Sequence, residues 1–189
     1  MKAIGASFVL LLFAGCTSVP LGYPGGWPPL RSAESNACLD LAGIYAQAGD
    51  ATAGCAAGGS CTRLPYDLFA GIPGLEDKAA LAGAEVELRQ PNSAVLDVTV
   101  REGGRELGGG SLSAARGDFR CTPHGLALAP RGGRVLVVGG AAYREERTFN
   151  RARDGSLVMS REALGSGQGL ALPFGEHARY WVRWPQAGR

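Results

Sequence analysis

The feature that most constrains this chain is an alternation of period two. In Ala84-Glu85-Val86-Glu87-Leu88-Arg89 the apolar residues take the even positions and the charges the odd ones. In an extended chain that sends Val86 and Leu88 to a core and the charges to water. After a turn at Pro91-Asn92-Ser93, Leu96, Val98 and Val100 alternate with Asp97, Thr99 and Arg101. Glu102-Gly103-Gly104-Arg105 then predicts a two-residue hairpin of type I′, because two glycines accept the positive φ values that turn needs. Its register sets Glu102 against Arg105 and Arg101 against Glu106.

Similar signals recur along the chain. A first strand is expected through Leu39, Leu41 and Gly43-Ile44-Tyr45, ending at Gly49-Asp50. Asp118 to Cys121 and Leu126 to Leu128 read as short strands about Pro123-His124-Gly125. Arg131-Gly132-Gly133-Arg134 reads as a turn into Val135-Leu136-Val137-Val138, whose unbroken apolar run implies cover on both faces. Tyr143 to Arg151 and Leu157 to Leu164 flank a tight turn at Arg153-Asp154-Gly155-Ser156. Gly165 to Gly175 is expected as a glycine-rich loop, and Tyr180-Trp181-Val182-Arg183-Trp184 as a closing strand with Tyr180, Val182 and Trp184 on one face. Leu75 to Leu81, after Pro73-Gly74, is the one plausible helical stretch. Strands about every ten residues with almost no helix predict an all-β chain, a single antiparallel meander forming a barrel or a two-layer sandwich.

The N-terminus carries a different kind of signal. Lys2, an apolar run from Ala3 to Phe13 and the small pair Ala14-Gly15 have the order of a secretory signal. The run is too short for a bilayer core of ~30 Å, which takes about 20 apolar residues. Phe13-Ala14-Gly15-Cys16 resembles the lipobox of bacterial lipoproteins, with Phe where Leu is usual. That resemblance implies acylation of Cys16 and a lipid-anchored mature chain of 174 residues (189 − 15). Thr17 after the cysteine, rather than Asp, is similar to outer-membrane sorting in enteric lipoproteins. The expected organisation is a signal peptide over 1–15, a lipidated N-terminus and flexible tether over 16–37, and a β domain over 38–189. Pro20, Pro24, Pro28 and Pro29 with Gly22, Gly25 and Gly26 make Thr17 to Ser35 read as that tether, with Tyr23 and Trp27 incidental to it, the alternatives for these two being a place at the lipid interface or packing on the domain. Gly43-x-Tyr45, with Arg183 in the last strand, is similar to the Gly-x-Trp and late Arg of lipocalins, and implies a barrel holding a small apolar ligand.

Five cysteines become an even set once Cys16 is assigned to lipid. Cys38, Cys55, Cys61 and Cys121 allow three pairings, of which Cys38–Cys121, tying distant parts of one sheet, with Cys55–Cys61, closing a loop, is the expectation in an oxidising envelope. Five residues separate Cys55 from Cys61 and no His is near, so neither a redox pair nor a metal site is expected there.

The remaining chemistry is sparse. His124 and His177 have no partner at metal-ligand spacing, and Gly165-Ser166-Gly167-Gln168-Gly169 matches neither a nucleophile elbow nor a nucleotide-binding fingerprint. Glu145, Glu146 and Glu162, and the arginines Arg144, Arg147, Arg151 and Arg153, are expected on a solvated strand face. Without Lys2 the balance is 18 basic to 17 acidic side chains, too even for nucleic acid. These readings predict a non-catalytic cell-envelope lipoprotein of the outer membrane, with no cofactor and no metal, facing the periplasm or the cell surface. Its partners would be the membrane, through the anchor, and other envelope proteins. A lipocalin-like barrel with an apolar small molecule is the alternative.

Overall fold

The computed structural model describes residues 20–32, 38–52, 63–69, 83–135, 141–169 and 172–188. The fold is nearly all β, with 62% of it in strands paired antiparallel. One sheet has four strands, β1 (Gly43–Ala46), β3 (Ala84–Asn92), β4 (Val95–Glu102) and β5 (Arg105–Ser113), paired in that order. The other runs β2 (Asp50–Ala51), β11 (Leu172–Trp184), β10 (Leu157–Gly169), β9 (Ala141–Arg151), β7 (Gly125–Leu128) and β6 (Phe119–Thr122). β8 (Arg131–Val135) also pairs with β9, beyond the end of β7. The sheets do not close into a barrel and fit a sandwich. A short helix, α1 (Leu64–Phe69), adds Leu64 and Leu68 to the core.

The alternation of β3 and β4 does what period two requires. Val86, Leu88, Leu96, Val98 and Val100 are buried, facing Phe149, Leu157, Met159, Val182 and Trp184 of the other sheet within one cluster. The rings of Phe149 and Trp184 stack with centroids 6.0 Å apart. Between β4 and β5 the hairpin forms as expected: Gly103 and Gly104 have φ of 54° and 82°, with Glu102 opposite Arg105 and Arg101 opposite Glu106. A second glycine is fixed by close approach. A Cβ on Gly125, at φ +130°, would lie 2.1 Å from the Phe149 carbonyl oxygen.

Cys38 and Cys121 form a disulfide across 83 residues. The bond was expected to tie distant parts of one sheet. Instead it joins the approach to β1, in the four-stranded sheet, to β6 in the seven-stranded one.

Four expectations are corrected. Arg131-Gly132-Gly133-Arg134 is not a turn but most of β8, paired with Ala142 to Glu145. The predicted loop at Gly165 to Gly175 is largely ladder, with Gly165 to Gly169 opposite Leu172 to Glu176. A ladder uses only backbone groups, so a partner strand overrides glycine's poor propensity. Pro91 and Asn92 extend β3, and the turn is at Ser93-Ala94. The fourth is the tether, since Pro20 to Ser32 packs on the domain as set out below. The helical expectation at Leu75 to Leu81 lies outside the described residues.

Candidate binding cleft

Strands β10 and β11 are apolar on more than their inner side. Leu157 and Met159 face the core, yet Val158 between them is buried, and Trp181 is buried between Tyr180 and Val182. Val158, Trp181 and Ala152 form a second small cluster on the outer side, and Tyr23, Trp27 and Leu30 of the N-terminal segment pack against it. This apolar cover is what overrides the Pro/Gly composition.

The segment is held by backbone as well as rings. Tyr23 N–H donates to the Pro20 carbonyl at 3.1 Å and Trp27 N–H to that of Pro24 at 3.0 Å, closing two successive turns. Gly22 sits at φ 75°, as the third residue of a type II turn does. Leu30 bridges Ala152, with Arg31 N–H donating to the Arg151 carbonyl (2.8 Å) and Arg153 N–H to that of Pro29 (2.9 Å). The Tyr23 ring stands edge-on to Trp181 at 5.1 Å and to Trp27 at 5.9 Å, and its hydroxyl donates to the Pro28 carbonyl. Burial pushes that hydroxyl's pKa up, Arg183 pulling it back and Asp154 adding to the rise.

Between this segment and the outer sheet face lies a cleft of about 780 Å³. Tyr23, Trp27 and Trp181 supply aromatic surface, while Asn150, Ser160 and Arg179 supply polar groups. Asn150 is buried and fixed, its Nδ2 donating to the His124 carbonyl at 2.8 Å. Trp181 Nε1 is a buried donor with no acceptor among the described residues. Arg179 pairs with Glu162 at 2.7 Å and Arg183 with Asp154 at 2.6 Å. Arg31 and Arg153, both exposed at the rim, have no ion pair among the described residues, so the rim is cationic. A smaller hollow of about 170 Å³ adjoins it, sharing His124 and Thr148.

The arginine band is not one face. Alternation turns Arg144 outward to pair with Glu146 (2.6 Å), whereas Arg147, only 2% exposed, faces inward with buried Glu145. Arg147 Nε lies 3.2 Å from Glu145, and Arg161, directly opposite Arg147, also pairs with Glu145 while its guanidinium sits 5.4 Å over the Tyr180 ring. Glu145 and Arg147 thus correct the expectation of a solvated face: burial is tolerated because the charges neutralise one another.

Of the sequence-predicted sites, Cys16, Cys55 and Cys61 lie outside the described residues, and Cys38 and Cys121 are bonded to each other. Tyr45 and Arg183 are not brought together: Tyr45 is in the core, its hydroxyl donating to the Leu41 carbonyl at 2.8 Å, and Arg183 is on the outer side with Asp154. His124 lines the cleft through the turn between β6 and β7. No cluster of metal-ligating side chains occurs among the described residues, and no helix there is long and apolar enough to cross a membrane. The cleft itself was missed. Its signal was the pair of consecutive apolar runs, Leu157-Val158-Met159 and Tyr180-Trp181-Val182, which leave no polar face for water.

Compared with protein families, with curated proteins and with solved structures, the chain matches none.

Proposed function

We propose that this is a non-catalytic lipoprotein of the bacterial outer membrane, anchored through Cys16, whose sandwich is an interaction module and whose contact surface is the outer-face cleft. The observation that carries the reading is the position of the cleft's wall. Pro20 to Ser32, docked on the sheet, begins four residues after the lipobox cysteine. Anchor and cleft are therefore parts of one stretch of chain. The lipocalin-like alternative draws no support from the sandwich interior, which Tyr45, Phe149, Met159 and Trp184 fill.

Cys16→Ala tests the anchor. The variant is expected in the soluble fraction, because several acyl chains at about 0.8 kcal/mol per CH₂ dominate membrane affinity. Retention of the unacylated variant in membranes after a salt wash would refute this reading.

A further inference from the structure

We infer that the partner of the outer-face cleft is the lipid headgroup layer of the membrane that holds the protein, with Leu21 and Trp27 seated in the interface. The inference rests on the anchoring reading above and on where the docked segment starts.

Four residue steps separate Cys16 from Pro20, which at full extension reach at most about 14 Å. A domain of this size has a radius of gyration of about 15 Å. The anchor therefore cannot let the domain turn freely above the membrane, and the surface around Pro20 must stay beside the headgroups.

What that surface presents fits the setting. Leu21 is 81% exposed, far more than Ile44 at 40% and Leu164 at 43%, the other exposed large hydrophobics among the described residues. It sits at the tip of the Pro20 to Tyr23 turn, where no packing requires it. Trp27, half-buried, lies next along the same segment. Amphipathic aromatic rings favour the membrane–water boundary, and arginines near it attract anionic headgroups. Arg31 and Arg153 stand at the rim without ion pairs among the described residues. An apolar tip, an indole and two free guanidinium groups on the side tied to the anchor make a surface for a bilayer.

The test uses the full acylated protein in vesicles of phosphatidylethanolamine and phosphatidylglycerol containing a phospholipid brominated near the top of its acyl chains. Bromine quenches indole emission only at contact, and Trp184 and Trp181 are shielded by burial. Quenching is expected in the parent, with roughly half or more of it lost in Trp27→Phe and a comparable loss in Leu21→Glu, as interfacial seating requires. Flotation and intact mass run alongside. Acylated, floating protein that shows no quenching, or quenching unchanged by both substitutions, overturns the inference and leaves the anchor standing. Protein that carries no acyl chain and does not float overturns both.

Discussion

On β3 and β4 of the four-stranded sheet the residues turned away from the core include Glu85, Glu87, Asp97, Thr99 and Arg101, with Glu87 paired to Arg89 at 2.6 Å and to Arg101 at 2.8 Å. On the seven-stranded sheet the same side carries Val158 and Trp181, and eleven residues of Pro/Gly-rich chain between Pro20 and Leu30 bring Tyr23, Trp27 and Leu30 to cover them. The first sheet needs only water outside it; the second needs a partner and takes one from its own N-terminus. A sheet face two or three apolar side chains short of polar is enough to capture a segment that would otherwise be solvated.

The comparison breaks hardest at β11, which serves both sides of its sheet. Truncation from Ala178 removes Tyr180, Val182 and Trp184 from the core and Trp181 from the outer cluster. With about 150–250 Å² per aromatic at ~25 cal/mol per Å², the loss is on the order of 10 kcal/mol as an upper bound, comparable to a whole domain's stability. Cooperative thermal melting by circular dichroism is expected to vanish. A truncated chain that still melts cooperatively would mean β11 is an accessory to the sandwich.

Next in size is the bond between the sheets. Cys121→Ser opens the loop of 83 residues, for which chain entropy gives about 4.5 kcal/mol. Melting under non-reducing conditions should show a fall of many degrees. Cys61→Ser should cost less, since a bond from Cys61 to Cys55 would close a far shorter loop. Equal losses would remove the special place given to the inter-sheet bond.

Trp181→Ala sharpens the contrast between the faces. It should cost about 3 kcal/mol, the low end for a buried Trp, because one side of the site can collapse. Hydrogen exchange should then lose protection at Tyr23, Trp27 and Arg31 while β3 and β4 keep theirs. Loss of protection spread evenly over both sheets would show the outer cluster to be part of the main core.

The smallest effect belongs to the turn beside that cluster. Burial opposes the charge on Asp154, but hydrogen bonds from Ser156 and Arg183 outweigh it and hold its pKa below the usual carboxylate value. A depressed folded-state pKa contributes stability that is present above the unfolded value of about 4 and is lost as pH falls through the folded one. Asp154→Asn should therefore lower stability by at most about 1 kcal/mol at neutral pH, as for other exposed pairs, and by progressively less below about pH 4. A deficit independent of pH would point to the side chain's shape instead of its charge.

Legibility in the sequence followed the same divide. Ala84 to Arg89, Leu96 to Arg101 and the hairpin into β5 could be read residue by residue because one side is wet, and a wet side leaves an alternating record; the glycine-rich rest of β5 leaves none. The seven-stranded sheet was read only in part. Its inward Glu145 and Arg147 looked like surface residues because each has a charged neighbour on the opposite face. Glycines at 132, 133, 165, 167 and 169 concealed strands that exist by virtue of their partners. The wall of the cleft was hard to read for a related reason: Pro20 to Ser32 has no periodicity of its own, and the apolar runs that order it lie on strands far along the chain.

That distance has a consequence for the order of assembly. Leu30 meets Ala152, and the N–H of Trp181 donates to Thr52 Oγ1 across 129 residues. Loops of that length close late, after local hairpins such as β3–β4 and β9–β10 have formed. The residues nearest the N-terminus are the first to be synthesised, and they can find their seat only when nearly the whole chain has followed them. Until then Tyr23, Trp27 and Leu30 are uncovered, so the same stretch that finishes the fold is open to chaperones and proteases while the rest of the chain is being made.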